Sequence, residues 1–453
     1  MTSARISPVA VLFVFLSFPL ALNIAAADAP SSFTICNASI FDGTRLTSQR
    51  AVAVRDGKIV SVGERCESSP GTVVIDGTGD TLIPGLFDAH VHIGLGEPAL
   101  RQMLVFGVTT ALDMFSDPKV DARIKKSEAE GADSDLADLR SAGILATAPR
   151  GHGTEFGPIP TISDPSEAQQ FVDERISERS DYIKIVYDNG EEFGDLMLTI
   201  RNGERVPPRF SSIRKDTLAA LIAAAHRRGK MAVVHVLALT FAEDAVESGA
   251  DGLEHIFADQ PPPADFAAQV KSHHTFVTPT LTVIQSLVLG FSGVELAKDD
   301  RLKPFLSRTD IGSLSMPFRP LSKDSRMNYS FAAQAVRELH AAGVPILAGD
   351  DAPLEGTVFG ASIHQELQLL VEAGLTPAEA LASATSIPSQ IFGPCCGLND
   401  RGRIAPGMRA DLVLVRGDPT QDITATRDIV GVWKAGVRCD REAYRRQISS
   451  ESR

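Results

Sequence analysis

At residues 81–93 the chain reads Thr81-Leu-Ile-Pro-Gly-Leu-Phe-Asp-Ala-His-Val-His-Ile93, an apolar run that ends with two histidines two positions apart. Side chains at positions i and i+2 of a β-strand share a face. If the run is a strand, His90 and His92 point the same way, and so does Asp88. Each imidazole could then give a nitrogen to one divalent metal at ~2.0 to 2.1 Å. A lone histidine pair also fits unrelated surface or core positions, so a metal site needs further ligands from later in the chain.

Length and composition limit the class of protein. With 453 residues, the chain can form two to three domains, or one large barrel with an accessory part. Hydrophobic residues make up 43% and charged residues 22% of the chain, which is ordinary for a globular protein and argues against general disorder. The net charge is -13 and no Lys/Arg cluster is visible. This balance argues against a nucleic-acid partner, because phosphate binding needs a basic face.

Residues 1–27 have the pattern of an export signal peptide. Arg5 supplies a positive charge, residues 9–22 form an apolar core, and Ala25-Ala-Ala27 offers a small-residue cleavage site. A membrane anchor is the alternative, but the apolar run is shorter than the ~20 residues that a spanning helix needs. We therefore expect cleavage near Ala27 and a secreted or periplasmic protein with no stable membrane anchor.

Five cysteines remain after that cleavage, in a compartment where disulfides form. They are Cys36, Cys66, Cys395, Cys396 and Cys439. Their spacing is not a zinc pattern, and their odd number leaves at least one thiol over, or paired between chains. The sequence does not assign the pairs.

Both ends of the mature chain carry short β segments separated by turns. Asp42-Gly43, Asp56-Gly57 and Asp76-Gly77 are hairpin turn signals in the first segment, and residues 402–437 supply similar material. We expect the segments 28–80 and 399–453 to complete one small β-sandwich together, with 81–398 as the domain between them.

Between the two ends, short apolar runs alternate with helical patterns, which is typical of βα units and a parallel sheet. The candidate strands are residues 82–92, 109–114, 143–148, 182–186, 231–236, 252–255, 276–280 and 345–349. Eight such units predict an α/β fold, a (β/α)₈ TIM barrel, in which function gathers at the carboxyl ends of the strands. Residues 287–326 fit none of these units and are expected to form a lid or a helical insertion.

Polar residues stand at the ends of several candidate strands. Lys184 lies inside an apolar run, where a lone ammonium is expensive to desolvate and needs a partner or a changed chemistry. His235 and His255 each close a candidate strand, and Asp351 follows the eighth. In a barrel, these four side chains would converge on the mouth that the first histidine pair faces. A set this large favours a metal centre over separate structural roles.

The ordered combination of motifs resembles the amidohydrolase superfamily, in its imidazolonepropionase-like and prolidase-like branch. The motifs that carry this resemblance are Pro84-Gly-Leu-Phe-Asp-Ala-His-Val-His92, Ile183-Lys-Ile185, Val234-His235, Glu254-His255, Ala348-Gly-Asp-Asp-Ala352, Ala380-Leu-Ala-Ser-Ala-Thr385 and Ile404-Ala-Pro-Gly-Met-Arg-Ala-Asp-Leu412. Together they span nearly the whole mature chain.

The resemblance implies a centre of two divalent metal ions. The implied ligands are His90, His92, Lys184, His235, His255 and Asp351. The first two would bind the more buried metal and the later two histidines the second, while the lysine, N6-carboxylated with CO₂, would bridge both. The aspartate would also ligate the first metal and handle the proton of a metal-bridging hydroxide. Zn²⁺ is the expected ion, although Mn²⁺, Fe²⁺ and Co²⁺ suit similar ligands.

Three other residues are weighed beside that set. Relatives more usually carry a small or hydroxyl residue where this chain has Asp350, so the catalytic role goes to Asp351 by its place in the motif, with Asp350 as the alternative if the register shifts by one. His152, in Gly151-His-Gly-Thr-Glu-Phe-Gly157, resembles a substrate-side loop and is a candidate substrate contact. Tyr187 is a further candidate for that task and also fits packing at the barrel rim.

The sequence therefore predicts a metal-dependent hydrolase of amide-type bonds. The resemblance favours dipeptides or N-acyl amino acids as substrates, including Xaa-Pro dipeptides, and leaves cyclic amides, lactones and carbamates open. One alternative is a mononuclear imidazolone-type hydrolase or deaminase, which would not need a bridging lysine. Another is a non-catalytic binding protein on the same scaffold, which would be expected to have lost ligands. The exact substrate, the metal's identity and a homo-oligomeric state are left open.

Overall fold

The protein is described by a computed structural model that covers residues 32–67, 71–193, 199–201, 204–206, 210–290, 293–317, 321, 323 and 325–451. The expected signal peptide at 1–27 lies outside these ranges and stays a prediction. Within them, no helix combines the length and the apolar character that crossing a membrane requires.

The secondary structure alternates between strands and helices over the central part of the chain. The β-strands are β1 (Ser32–Cys36), β2 (Ser39–Phe41), β3 (Leu46–Thr47), β4 (Ala51–Arg55), β5 (Lys58–Gly63), β6 (Val73–Asp76), β7 (Asp80–Pro84), β8 (Leu86–Val91), β9 (Val108–Asp113), β10 (Asp138–Ser141), β11 (Ile183–Val186), β12 (Thr199–Arg201), β13 (Glu204–Val206), β14 (Ala232–His235), β15 (Gly252–Glu254), β16 (Phe276–Thr278), β17 (Leu412–Arg416), β18 (Ile429–Lys434) and β19 (Val437–Arg438). The α-helices are α1 (Glu97–Val105), α2 (Pro118–Ala129), α3 (Ala168–Ser177), α4 (Lys215–Arg227), α5 (Leu239–Glu247), α6 (Phe266–Ser272), α7 (Leu281–Leu289), α8 (Val294–Lys298), α9 (Arg308–Ser315), α10 (Tyr329–Ala341), α11 (Ile363–Ala373), α12 (Pro377–Ser383), α13 (Ser386–Cys396) and α14 (Arg441–Glu451).

The two ends of the chain form two small sheets that share an apolar core. One sheet has the strand order β5-β4-β1-β6 and the other the order β19-β18-β17-β7-β2-β3. In the second sheet β7 pairs antiparallel with β17, so that Pro84 lies opposite Leu412 and segments from both chain ends are neighbours. The ring of Phe33 from the first sheet stacks on Trp433 from the second, with centroids 5.6 Å apart. The two ends thus build one β structure, while the domain boundaries drawn from the sequence stay predictions.

A disulfide joins Cys36, at the end of β1, to Cys66, beyond β5. Cys395 and Cys396, at the end of α13, are bonded to each other, and Cys439 is a free, half-buried thiol. The Cys36–Cys66 bond ties the end of β1 covalently to the segment after β5, within the four-stranded sheet.

The central region is an α/β fold with two parallel sheets. Their strand orders are β10-β9-β8 and β11-β14-β15-β16. The backbone N–H of Ala146, a residue that follows β10, donates to the carbonyl oxygen of Lys184 in β11 at 2.8 Å. This bond links the segment after the first sheet to the second sheet. Helices between the strands bury one face; α4, for example, buries Leu218 and Leu221. Strands β8, β9, β11, β14, β15 and β16 correspond to six of the eight strands predicted from the sequence.

The other two predicted strands are wrong. The third strand is β10, which lies before the predicted run 143–148. The eighth run, 345–349, is not a strand, although Ile346 forms an isolated parallel bridge with Val277 in β16. The third strand escapes a search for apolar runs because it contains Asp138 and Arg140.

The run predicted as one strand at 82–92 is two strands. β7 belongs to the six-stranded sheet and β8 to a parallel sheet, and the chain changes sheets at Gly85 between them. A Cβ atom at this position would lie 2.3 Å from Thr109 Oγ1, so the change of sheet requires glycine. This short crossing connects the small sheets directly to the strand that carries His90.

The segment 287–326 is largely helical where the structure describes it. It contains the end of α7, then α8, a 3₁₀ turn at Lys303–Phe305, and α9. Leu296, Phe305 and Leu314 from these elements are buried in one cluster with Phe106, which follows α1. The segment therefore packs as a helical insertion, one of the two forms expected from the sequence.

A buried charge cluster attaches β10 to the C-terminal sheet. Asp138 is 1% exposed and accepts hydrogen bonds from the guanidinium groups of Arg401 and Arg409. Lys434 Nζ lies 2.6 Å from Asp138 Oδ1 and 2.6 Å from Asp133 Oδ2. Buried charges are tolerated only while they are paired, so each member of this cluster depends on the others.

Asp138→Asn should lower the thermal unfolding midpoint by several degrees. The substitution keeps the size of the side chain but removes the anion that three buried cations share, and breaking a buried ion pair costs about 3 to 5 kcal/mol. Circular dichroism melting of both proteins measures the shift. Asp135→Asn is the matched control, because Asp135 makes an exposed pair with Arg101 that contributes little. Equal midpoints for the two variants would contradict the role given to the cluster.

Candidate metal centre

A cavity of about 760 Å³ opens where the parallel strands end. Five of the six predicted ligands line it: His92, Lys184, His235, His255 and Asp351. His90 is fully buried behind them, with its Nε2 3.3 Å from Asp351 Oδ1 and 3.5 Å from Lys184 Nζ. The structure therefore brings all six predicted ligands together.

These side chains meet because they lie on or directly after neighbouring parallel strands and the run at 345–349. His90 lies on β8, Lys184 on β11 and His235 at the last position of β14. His255 directly follows β15, and Asp351 follows the run at 345–349. The carboxyl ends of parallel strands lie at one edge of a sheet, so residues distant in sequence become neighbours there.

Asp351 carries the strongest sign of a bound cation. Its Oδ1 lies 3.0 Å from His92 Nε2 and 3.3 Å from His90 Nε2, yet it forms no hydrogen bond among the described residues. Together with His90 and His255, it places ligand atoms within 4.8 Å of one another. The His235 ring lies 4.6 Å from the His255 ring, measured between centroids. Imidazole and carboxylate ligands arranged around one point fit a divalent metal.

The protonation states of His235, His255 and Asp351 agree with this fit. Burial lowers the pKa of His235 to about 4 and lowers the pKa of His255 well below its usual range. Both imidazoles are therefore neutral, which is the form that binds metal. Burial alone would raise the pKa of Asp351, but His90 beside it holds that pKa well below its usual range. The carboxyl group of Asp351 is thus ionised.

Lys184 has an environment that disfavours a positive charge. It is 2% exposed within β11, and burial lowers the pKa of its amine to about 8. Its Nζ lies 3.5 Å from His90 Nε2, and within the described ranges it forms no ion pair. A buried amine of this kind is readily deprotonated and is nucleophilic when neutral.

Two residues that the sequence analysis missed orient the histidines. His90 Nδ1 donates to Glu254 Oε2 at 2.7 Å, and His255 Nδ1 lies 2.7 Å from Thr280 Oγ1. Metal-binding histidines commonly give their second nitrogen to such a partner, which fixes the ring. Glu254 could have been suspected, because it is a carboxylate inside an apolar strand directly before a predicted ligand. Thr280 carries no comparable signal.

Asp350 does not face the histidines. It is buried beside Asp88, whose Oδ1 accepts the backbone N–H of Asp350 at 3.3 Å and that of His90 at 3.2 Å. Burial, with the charge of Asp88, raises the pKa of Asp350 well above its usual range, so this side chain keeps its proton. The residue that faces the histidines is Asp351, as the motif register predicts.

The two predicted substrate contacts are placed differently. His152 lines the cavity, donates through Nδ1 to Glu155 Oε1 at 2.6 Å, and stacks 5.0 Å from the His235 ring. Tyr187 is not among the residues that line the cavity, and its hydroxyl donates to Asp244 Oδ2 at 2.8 Å. Its position matches the alternative of packing at the rim.

Comparisons with known proteins point to one family. The model of the Amidohydrolase family matches residues 81–439. An uncharacterized protein of Mycobacterium tuberculosis is 27% identical over 352 residues, which are 76% of this chain and 81% of that protein. The crystal structure of a Xaa-Pro dipeptidase with bound methionine in the active site superposes with a TM-score of 0.70 at 20% identity, covering 90% of this chain and 99% of that one. A putative prolidase from Bifidobacterium longum superposes with a TM-score of 0.68 at 21% identity, covering 94% and 99%.

Glu254→Gln should weaken metal binding about 10- to 100-fold without unfolding the protein. The amide keeps the size of the side chain but removes the negative charge that orients His90 and raises its basicity, and loss of such partners typically has this effect. Metal content after equilibration with graded chelator concentrations measures the change. His226→Gln, at an exposed histidine paired with Asp251 outside the cavity, is the control and should bind like the parent protein. Unchanged retention in Glu254→Gln would remove Glu254 from the centre.

Proposed function

We propose, because the chain belongs to the amidohydrolase family, that it is a metal-dependent hydrolase that cleaves amide-type C–N bonds of small substrates. The resemblance inferred from the motifs is confirmed by the family model, which matches residues 81–439. The observation that carries the metal-dependent part is the buried Asp351 Oδ1, which faces His90 and His92 without a hydrogen bond among the described residues. A buried carboxylate in that position needs a cation to offset its desolvation.

The six side chains divide between two ions in this proposal. His90, His92 and Asp351 would hold one ion, and His235 with His255 would hold the other. Lys184 would bridge them after its neutral amine has added to CO₂ and lost a proton to form a carbamate. The burial of Lys184 supports this assignment. Its ammonium would have no ion-pair partner among the described residues, whereas a carbamate would be an anion between two cations. Zn²⁺ remains the expected ion from the ligand types.

Two ions at this place would supply an activated water molecule and polarise the substrate carbonyl. The chain's own residues do the rest. Asp351 takes a proton from the attacking water and delivers it to the leaving nitrogen, so that amide and water become acid and amine. Its low pKa keeps it unprotonated before the reaction, as a proton acceptor must be. His152, at the cavity wall, would donate a hydrogen bond to the carbonyl oxygen through Nε2 when its ring carries a second proton, because its Nδ1 already donates to Glu155.

Dipeptides and N-acyl amino acids, including Xaa-Pro dipeptides, are the substrate class that the sequence favours. The structural similarity to a Xaa-Pro dipeptidase and to a putative prolidase supports an amide-type bond as the target. Carbamates and lactones would use the same attack on a polarised carbonyl. All of these substrates present a carbonyl carbon to the same group of side chains.

We also propose that the two parallel sheets are parts of one (β/α)₈ barrel. Ala89 N–H donates to Ala348 O, and Leu347 N–H donates to Val277 O, so the run at 345–349 lies between β16 and β8. Together with the bond from Ala146 to Lys184, these contacts would close the ring. An export signal in the first 27 residues is supported by the Cys36–Cys66 disulfide, because such bonds persist in oxidising compartments outside the cytosol.

Two other functions make different use of the same residues. A mononuclear hydrolase or deaminase would need one ion and no carbamate on Lys184. A non-catalytic binding protein would be expected to have lost ligands, whereas this chain keeps all six predicted side chains around the cavity. A screen of dipeptides, N-acyl amino acids and lactones, with metal content measured on the same preparation, separates these functions.

Lys184→Ala and Lys184→Arg should both lose one of two bound ions and at least about 10³-fold in turnover. Neither side chain can form a carbamate. The arginine variant keeps the positive charge, so equal losses in the two variants would show that the carbamate bridge, and not the charge, is what turnover requires. Metal analysis and initial rates on the best substrate of the screen measure both effects. In the parent protein, ¹³C-labelled bicarbonate should give a carbamate signal that both variants lack. One ion per chain in the parent, with full activity in Lys184→Ala, would favour the mononuclear alternative.

A further inference from the structure

We propose that the site takes uncharged amides that carry an apolar, ring-sized group, and discriminates against substrates with a free carboxylate next to the scissile bond. This inference rests on the proposed hydrolysis of amide-type bonds. It favours uncharged amides over the dipeptides and N-acyl amino acids that the sequence favours, because those substrates carry a free carboxylate. It comes from three features: the chemistry of one cavity wall, the charges in the cavity, and the residues exposed at its mouth.

One wall of the cavity is apolar and contributes none of the six predicted ligands. We call it the apolar wall and define it as Phe115, Ile144, Leu145, Phe156 and Ile159. These residues follow β9 and β10, whereas the predicted ligands come from β8, β11, β14, β15 and the run at 345–349. The rings of Phe115 and Phe156 have centroids 6.4 Å apart, inclined by 50°. An apolar group of similar size would gain burial against such a wall.

The described part of the cavity lining offers no spare cation to a substrate carboxylate. Among the described residues that line it, the only lysine or arginine is Lys184, which the proposed carbamate would make anionic. Asp117, which is exposed and lines the cavity, adds a negative charge. Its side chain accepts the backbone N–H of Lys119 and so caps α2. A carboxylate brought into this space would lose its hydration without gaining an ion pair, which is unfavourable. An uncharged group avoids that cost.

Large apolar side chains are exposed close, in sequence or through hydrogen bonds, to residues that line the cavity. Leu95 and Phe156 are each 68% exposed, and they follow β8 and β10. Met316 follows α9 and is 53% exposed. The end of α9 lies next to the cavity, because the Ser313 hydroxyl donates to the carbonyl oxygen of Leu354, which lines it. Of these three side chains, Phe156 both lines the cavity and is exposed to solvent, so an apolar molecule could contact it on entering. The entrance and the wall thus prefer the same chemistry.

A matched pair of amides tests the inference. N-(3-methylbutyl)phenylacetamide and N-phenylacetyl-L-leucine share the acyl group and the branched alkyl chain, and differ by the carboxylate. With metal-loaded full-length protein, kcat/KM for the neutral amide should exceed that for the acid by at least about tenfold, because unpaired burial of a carboxylate opposes binding. Amine release followed by liquid chromatography measures both rates. An equal or higher kcat/KM for the acid would overturn the inference.

Binding measured by calorimetry on the same preparation separates this inference from the proposed function. If the neutral amide binds more tightly than the acid but neither is cleaved, the proposed amide hydrolysis fails and the preference of the cavity stands. If neither compound binds, or if the acid binds more tightly, the preference is wrong whatever the activity.

Ile159→Arg should reverse the preference. Ile159 is half-buried in the apolar wall, so a long cationic side chain can be accommodated there with its charge facing the cavity. We expect the ratio of kcat/KM for the acid over the neutral amide to rise at least about tenfold, as a nearby opposite charge favours the anion. Ile159→Gln is the matched control: it is polar but uncharged, and should leave that ratio within about twofold of the parent value. Similar ratios for both variants, at equal metal content and helical signal, would show that charge at the wall does not select the substrate.

Discussion

The carboxylate of Asp351 can meet His90 and His92 only if the run at 345–349 lies beside β8. Two backbone hydrogen bonds hold it there: Asp351 N–H donates to His90 O at 2.8 Å, and His92 N–H donates to Ala352 O at 2.8 Å. The main chain therefore fixes the position of the Asp351 carboxylate relative to the two histidines. Ligands set by backbone pairing on packed elements are more exact than ligands carried by loops, because their positions do not depend on the ion.

This arrangement carries local backbone strain at its most important positions. His255, Thr280 and Asp351 have φ values of 73°, 47° and 57°, in the left-handed region that side-chain-bearing residues seldom adopt. Each such residue costs of order 1–3 kcal/mol and persists only when its surroundings hold it in place. Here the residue before each of the three is buried, and the contact between His255 and Thr280 links two of them. Packing in the core thus offsets the strain that turns these side chains toward one point.

Much of the site could be predicted from the sequence, because strand-end histidines and a buried lysine are visible without a structure. His235 and Lys184 stand in apolar runs, where polar side chains are conspicuous. What the sequence did not show is pairing: Asp138 sits in a strand because three cations neutralise it, and no local pattern reveals partners from the far end of the chain. Glu254 was missed for a related reason, since its role depends on a histidine from another strand. Gly85 looked like a position inside a strand, and only the approach of Thr109 shows that the chain changes sheets there.

The cavity separates its tasks by strand. The side chains that converge on Asp351 come from β8, β11, β14 and β15, and these strands are tied together by the core and by partners such as Glu254. The apolar wall comes from the segments after β9 and β10, which supply no predicted ligand. A change at Ile159 therefore alters what the cavity accepts without touching a predicted metal ligand. Because the predicted metal ligands and the apolar wall rest on different strands, family membership describes the reaction of this chain better than it describes the substrate. The charge of the wall has to be read from its own residues.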